Sequence, residues 1–300
     1  MPLDDFLKSI EPLRTFYAKD SITVAITGGE PILRGDLGMC GKELRKRGFR
    51  WGIVTNGFAY DEAMHGKLAG AGMGSLTLSI DGLEESHNWL RNHKNSYSNA
   101  IGALQLIKKS KRINYDVVTC VNKRNITELN DIKKYFVDND VKAWRLFTIS
   151  PIGRASNNPE LQLDAAQFKY LMEFISSSRK EKKIDIKFSC ESFVGPYEKK
   201  VRDGYFFCRA GINIASVLID GSISACPNID RSFVQGNIYA DDLLQTWNQK
   251  FTEMRDRTWT KTGMCGNCKE YKWCRGGGLH FWQGNREEIV KCDCVSLSTR

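Results

Sequence analysis

The first 150 residues alternate between two hydrophobic periods, and this alternation restricts the fold more than any other feature. Runs rich in β-branched and aromatic residues at "SITVAIT" (21–27), "WGIVTNG" (51–57), "SLTLSIDG" (75–82), "YDVVTCV" (115–121), "AWRLFTI" (143–149) and 184–190 read as strands. Helix-like stretches at 36–48, 60–71, 84–109, 126–139 and 164–180 separate them; in the fourth, Leu129, Ile132 and Phe136 fall on one side. Strands alternating with helices of this length imply βα units and a parallel sheet. Their nearly continuous apolar character predicts a sheet covered on both faces or closed into a barrel. The chain opens on a helix-like segment, with Leu3, Phe6, Leu7, Ile10, Leu13 and Phe16 on one face. A βα repeat that starts on its helix is expected to have lost the strand before it.

Five of the strands end in short polar or glycine-bearing segments: "TGGE", "TNG", "SIDG", "VNKRN" and "SPIGR". In parallel α/β folds, ligands sit at the carboxyl ends of the strands, so these tips are expected to face one site. In "ITGGEPILRGDL" (26–37), an apolar strand runs into Gly28 and Gly29 and then Glu30. Adjacent glycines at a strand tip let the backbone approach a ligand closely, and the glutamate places one negative charge there.

Beyond residue 155 the pattern changes. "ASVLIDGSISAC" (215–226) reads as a β-hairpin with Asp220-Gly221 as a two-residue turn, and 241–257 reads as a helix. A loop-rich tail follows. Seven of the ten cysteines lie after residue 200: Cys208, Cys226, Cys265, Cys268, Cys274, Cys292 and Cys294. Their spacing is C-x12-G-x4-C, then C-x2-C-x5-C, then C-x-C. No apolar run approaches the ~20 residues of a membrane span, and the N-terminus lacks the features of a signal peptide. Cytoplasm is therefore the expected location, where concentrated thiols bind metal rather than form disulfides. Thiolates suit zinc or iron–sulfur clusters. Residues 265–294 alone fit a four-cysteine zinc knuckle; seven thiolates with Cys190 nearby exceed one zinc site and favour one or two iron–sulfur clusters. Cys40 and Cys120 are expected to be small buried hydrophobes. The formal charge of +9 is modest, and the basic run "SRKEKK" (178–183) reads as a solvated helix end. No aromatic–basic interleaving points to nucleic acid.

Taken together, "GGEP" (28–31) after a strand, "TNG" (55–57), "SIDG" (79–82) with Arg91 twelve residues past Ser79, "PIGRA" (151–155) and the late cysteine spacing resemble radical S-adenosylmethionine (SAM) enzymes with a SPASM-type cluster domain. The resemblance covers nearly the whole chain. It implies a partial (β/α)6 TIM-like barrel lacking its first strand over residues 1–190, and a small cysteine-rich domain with a β-hairpin over 191–300. It implies that Gly28, Gly29 and Glu30 receive the cofactor's amino group. Ser79 and Arg91 would hold its carboxylate or ribose, and Asn122 is a further candidate for the ribose. An arginine fork suits a carboxylate.

The implied reaction is reductive cleavage of SAM by a [4Fe–4S] cluster, yielding a 5′-deoxyadenosyl radical that abstracts hydrogen from substrate. Peptides or small proteins are the expected substrates, with a flavodoxin or ferredoxin as electron donor. By the same resemblance, Cys265, Cys268, Cys274 and one of Cys292 or Cys294 complete one auxiliary cluster. Cys208 and Cys226 serve another, with Cys190 or the spare tail cysteine as partners. Three departures stand out. The family's C-x3-C-x2-C motif, which binds the catalytic cluster, is absent from these 300 residues, so the chain is expected to be N-terminally truncated and catalytically incomplete. Gly278 stands where the family often has a cysteine. Pro227 stands where sulfatase-maturing members have an acidic residue. The competing expectation is a non-catalytic iron–sulfur or zinc module for peptide recognition or electron transfer.

Overall fold

A computed structural model of the chain describes residues 1–189, 191–284 and 286–298. Cys190 lies outside the described residues. The chain divides into two compact units. One holds residues 17–149 and 158–189; the other holds 1–16, 150–157 and the described residues from 191 onward.

In the second of these units the chain begins with α1 (Leu3–Ile10), which buries Leu7 and Ile10. The helix stops before Pro12, and a single turn, α2 (Leu13–Phe16), follows. The one continuous apolar face read from sequence is thereby broken, and Phe16 is exposed.

The other unit is a six-stranded parallel sheet with strands in chain order: β1 (Thr23–Ile26), β2 (Arg50–Thr55), β3 (Ser75–Ser79), β4 (Asn114–Val121), β5 (Ala143–Thr148) and β6 (Asp185–Phe188). All six coincide with sequence-predicted strands. The helices between them are α3 (Leu37–Lys46), α4 (Glu62–Gly70), α5 (Glu84–Arg91), α6 (Ser96–Lys108), α7 (Leu129–Asp138) and α8 (Ala165–Glu181). Asp61 caps α4 by accepting from the Met64 amide, and Asp164 with Gln167 forms a reciprocal capping box on α8. The basic run at 178–183 forms the end of α8 and is exposed from Lys180 onward, as expected from sequence, while Ser178 is buried and Arg179 donates to the Ile186 carbonyl.

The helix predicted over 84–109 is two helices. Asn92 takes a left-handed conformation (φ 52°) after α5, which asparagine tolerates better than most residues. Asn88 then holds the corner, donating to the Lys94 carbonyl and accepting from the Tyr97 amide, both at 2.8 Å.

Register explains what the sheet does with its two faces. Trp51, Ile53, Leu76, Leu78, Val117, Trp144, Leu146, Ile186 and Phe188 share one face and are buried. Opposite them lie Ser75, Thr77, Ser79, Asp116, Arg145 and Lys187, most of them half-buried and polar. Of the two arrangements expected, apolar cover on both faces is not the one found: one face is apolar and the other carries polar side chains. On the polar face, Thr77 donates to Asp116 at 2.7 Å, and Arg145 bonds Asp116 and, at 3.1 Å, Thr77. Three neighbouring strands thereby satisfy one another's polar groups.

The C-terminal part of the other unit carries a three-stranded antiparallel sheet: β7 (Ser216–Val217), β8 (Ser222–Ser224) and β9 (Gly236–Asn237). The predicted hairpin is present, but its loop is three residues long. Ser216 faces Ser224 and Val217 faces Ile223. The Leu218 amide bonds Ser222, leaving Ile219, Asp220 and Gly221 in the loop. The helix predicted over 241–257 divides into α9 (Leu243–Gln249) and α10 (Thr252–Arg255) around fully buried Phe251. Arg255 bridges the break by donating to the carbonyls of Trp247, Asn248 and Gly211. Short helices α11 (Gly263–Gly266), α12 (Tyr271–Cys274) and α13 (Asp293–Ser298) complete the tail. No helix among the described residues is long and apolar enough to cross a membrane.

Candidate functional site

The carboxyl tips of β1 and β2 lock into one another. Glu30 accepts from the Thr55 hydroxyl at 2.7 Å, the Asn56 amide at 2.8 Å and the Ile32 amide at 3.3 Å. Thr55 in turn accepts from the Gly57 amide at 3.0 Å, and the Asn56 side chain accepts from the Phe58 amide. Gly57 sits at φ +74°, and a Cβ there would meet Leu78 at 2.7 Å, so only glycine fits. "GGEP" and "TNG" are therefore two halves of one clasp. The Glu30 carboxylate, read from sequence as a ligand charge, is engaged by three protein donors.

The clasp leaves the glycines themselves open. Gly28 has φ +124°, and a Cβ added at Gly28 or Gly29 would meet nothing within 4 Å. Both residues are exposed. Their backbone groups make no hydrogen bonds among the described residues, which is the condition an incoming ammonium group requires.

A second network organises the tips of β3 and β4. Asp81 is fully buried. Its Oδ2 accepts from Arg91 Nε at 2.6 Å, and its Oδ1 accepts from the Cys120 amide at 2.9 Å. The Asp81 amide donates to His87 Nδ1 at 2.9 Å. His87 Nδ1 is thus an acceptor, so Nε2 carries the proton and donates to Ser96 at 3.1 Å. Burial pulls the His87 imidazole down to about 4, against the pull of Asp81, so the ring is neutral. Asn125 donates to the carbonyls of Asp81 and Cys120, and Glu128 accepts from the Leu83 amide and Ser86.

Arg91 emerges from this network with its side chain 30% exposed. Burial opposes its charge, but Asp81, Cys120 and Glu30 outweigh it and hold its pKa above the ordinary arginine value. The Glu30 contribution puts the β1 tip and Arg91 in one electrostatic neighbourhood. Ser79, half-buried at the end of β3, has no side-chain partner among the described residues. Asn122 is committed elsewhere: it accepts from the Arg124 and Asn125 amides and donates to the Cys120 carbonyl. Its amide shapes its own loop.

The tail thiols form a separate constellation. Burial pushes Cys274 up to about 12, reinforced by Cys292, Cys265 and Cys268. Burial likewise raises Cys265 to about 11, with Cys292 and Cys268 adding to the effect. Burial also raises Cys292, which feels Cys268. These four thiols are therefore mutual neighbours. Cys294 instead joins Phe193 and Phe206 in an apolar cluster, against which Cys208, Cys274 and Cys292 pack. Buried Arg257 donates to the Cys208 carbonyl at 2.8 Å and to the Gly277 carbonyl at 3.3 Å, tying the Cys208 loop to the turn after Cys274. Cys226 follows β8, and Ser224 donates to its carbonyl at 3.2 Å. No disulfide forms among the described residues. No three histidine, cysteine or carboxylate side chains among them close to the spacing of a single metal ion. Cys40 is buried as expected, and Cys120 is half-buried at the β4 tip.

Residues 1–136 match the family model for the radical SAM superfamily, and residues 208–269 match SPASM, an iron-sulfur cluster-binding domain. The chain belongs to the radical SAM superfamily and carries a SPASM domain. SAM and [4Fe–4S] clusters are the cofactors these domains imply. Curated relatives bear enzyme names. An AdoMet-dependent heme synthase of Methanosarcina barkeri is 24% identical over 84% of this chain and 75% of its own. The mycofactocin maturase MftC of Mycobacterium ulcerans is 24% identical over 97% of this chain and 78% of its own. Among solved structures, native anSMEcpe with bound AdoMet and Cp18Cys peptide superposes with a TM-score of 0.72 at 20% identity, covering 98% of this chain and 86% of that one. That likeness is one of fold.

Several residues of this radical SAM chain escape a reading of its sequence. Thr55 and Asp81 stand inside the quoted motifs "TNG" and "SIDG" but were not read as site residues. Asn125 stands inside the quoted tip "VNKRN" but was not singled out there, and Glu128 and Arg257 carry no local signal, because Glu128 meets Leu83 and Ser86 and Arg257 meets Cys208 and Gly277, all far away in the chain.

Proposed function

We propose that this radical SAM chain binds SAM at the β1–β3 tips, carries auxiliary iron–sulfur clusters in its SPASM domain and acts on a peptide substrate. The observation that carries the reading is the open, unbonded Gly28–Gly29 backbone held by the Glu30 clasp, within the field of Arg91.

Gly28 and Gly29 would receive the ammonium group. Ser79 and Arg91 would take the carboxylate or ribose, with Asp81 fixing the guanidinium. Glu30 positions the glycines rather than meeting the ligand. When bound, reduced cluster and SAM together supply a 5′-deoxyadenosyl radical; the chain's own residues bind, orient and shield. In the tail, Cys265, Cys268, Cys274 and Cys292 would hold one cluster, and Cys208 and Cys226, with Cys294, would serve another. A zinc knuckle would use four of the tail thiols, and seven exceed one zinc site. Clustered, partly buried soft thiols suit a polynuclear iron site, whose positive charge stabilises them as thiolates.

A peptide substrate accords with the maturase among the relatives and with the peptide in the similarly folded anSMEcpe. A tetrapyrrole is the second reading, favoured by the heme synthase relative. The test is anaerobic reconstitution of the 300-residue chain, followed by iron and sulfide assay and calorimetric titration with SAM. Tail iron and SAM binding are expected, without 5′-deoxyadenosine formation, because these residues contain no C-x3-C-x2-C. Turnover by the same chain would contradict the cluster assignment. Loss of SAM binding in Gly28→Val is expected; unchanged binding would move the site elsewhere. Tight binding of an iron porphyrin in place of peptides would select the tetrapyrrole reading.

A further inference from the structure

Parallel sheets are ordinarily apolar on both faces, because each side is covered. Here the helices take the apolar face. Trp51 donates to the Ala71 carbonyl just after α4, and Trp144 meets Phe136 of α7 and Phe174 of α8. The face turned away from them carries Arg50, Arg145 and Lys187 against Asp116 and Asp185. Ionic groups in mid-strand on such a face are costly in a packed core, and they suit a surface that receives a ligand.

Three of these side chains, on neighbouring strands, grip one guanidinium. Asp116 Oδ1 accepts from Thr77 at 2.7 Å, Asp116 Oδ2 accepts from Arg145 Nε, and Thr77 accepts from Arg145 Nη2 at 3.1 Å. The guanidinium is held along one edge, so its plane is fixed. It has five N–H groups. Two are used; the two on Nη1 and the second on Nη2 have no partner among the described residues. The Arg145 side chain is 38% exposed, against 19% for its holder Asp116. Lys187, its in-register neighbour on β6, pairs with Asp185 at 2.9 Å. Ser79 lies on the same face of β3, two residues beyond Thr77 and about 7 Å nearer the tips.

We infer that Arg145 anchors a carboxylate of the peptide substrate, an acidic side chain or the chain end, with Asp116 and Thr77 as positioning residues. The open Nη1–Nη2 end presents two parallel N–H groups, which match the two oxygens of a carboxylate; a lysine ammonium offers no such fork. Because the guanidinium is already fixed, binding orders little that was free. Asp116 offsets the arginine charge, so recognition here is by directed hydrogen bonds rather than by long-range attraction. Three cations to two carboxylates on this face leave room for one further anion. A peptide held by Arg145 lies one layer below the tips assigned to SAM. The inference rests on the proposed SAM site and peptide substrate.

The test follows the Arg145 Nε–H resonance of the full chain with isotope-labelled arginine; it is the signal lost in R145K and displaced in D116N. Three probes are titrated with and without SAM: an acetylated, amidated Gly-Ala-Glu-Ala-Gly peptide, its glutamine counterpart, and that glutamine peptide with a free carboxyl end. A saturable shift is expected from the first or third probe and none from the second. The first alone assigns an acidic side chain, the third alone a chain end. Saturation-transfer NMR is expected to show the responding probe at least tenfold weaker in R145K, whose fold is checked by circular dichroism. D116N is expected to weaken it too while keeping the SAM affinity of the parent chain, which a merely structural role would not do. An Arg145 signal unmoved by both carboxylate probes, in a chain that binds SAM by calorimetry, overturns the anchor and leaves the SAM reading intact. A shift at Arg145 without SAM binding supports the anchor and overturns the SAM site. Equal shifts from all three peptides overturn carboxylate recognition. A metal-free porphyrin bearing propionates that moves Arg145 where no peptide does overturns the peptide substrate and gives the anchor to tetrapyrroles.

Discussion

Replacing Glu30 with glutamine separates a clasp from a ligand contact. The carboxylate offers two acceptor oxygens to three donors: Thr55 and Ile32 on Oε1, and the Asn56 amide on Oε2. A glutamine amide offers one acceptor and one donor. Either the Asn56 amide or the Thr55–Ile32 pair must then face an N–H group, and the remaining bonds lose their charge assistance. A hydrogen bond to a charged group is worth about 1.5–3 kcal/mol. Because Glu30 is only half-buried, water recovers part of the loss, and E30Q is expected to cost about 2 kcal/mol. For a unit of this size that corresponds to a Tm lower by about 4–8 °C. Loosening the clasp frees the Gly28–Gly29 turn, so SAM affinity is expected to fall together with stability. T55V removes the other half of the clasp, and the two substitutions are expected to couple by about 1 kcal/mol in a double-mutant cycle. Urea unfolding followed by circular dichroism gives the stabilities, and calorimetry gives the affinities. An E30Q variant as stable as the parent chain but at least tenfold weaker for SAM would make Glu30 a direct ligand contact and refute the clasp.

Two further outcomes follow from the same geometry. His87 has a folded pKa of about 4 through burial, against about 6.5 when unfolded. The unfolded chain therefore binds the extra proton first, and stability falls as pH drops from about 6.5 toward about 4, by about 2 kcal/mol between pH 7 and pH 5. H87N is expected to start less stable at pH 7 and to show a flatter profile; parallel profiles would rule His87 out as the source. In the tail, C292S is expected to lower bound iron by about four atoms per chain, whereas C294S is expected to leave the iron of the Cys265–Cys268–Cys274 set in place. Loss from C294S of the same cluster that C292S removes, resolved by spin resonance, would contradict the division of the thiols.

The sheet was legible because a parallel βα repeat writes itself in local periodicity: the positions of all six strands follow from runs of β-branched and aromatic residues. Where the reading went astray, a distant side chain had intervened. The break between α5 and α6 depends on Asn88 reaching Lys94 and Tyr97 across the corner. The break between α9 and α10 depends on buried Phe251 and on Arg255 collecting carbonyls from two segments. At the site, the glycines of "GGEP" announced a ligand, but the job of Glu30 was invisible until β2 lay beside β1.

By itself, then, the sequence determined the element order, the family-like motifs and the inventory of soft donors, since each is written in neighbouring residues. Only the tertiary structure decided which polar groups meet: Glu30 with Thr55, Asp81 with Arg91, and Cys292 with the C-x2-C-x5-C thiols. Such pairings depend on register and packing between residues far apart in the chain, and no local period encodes them.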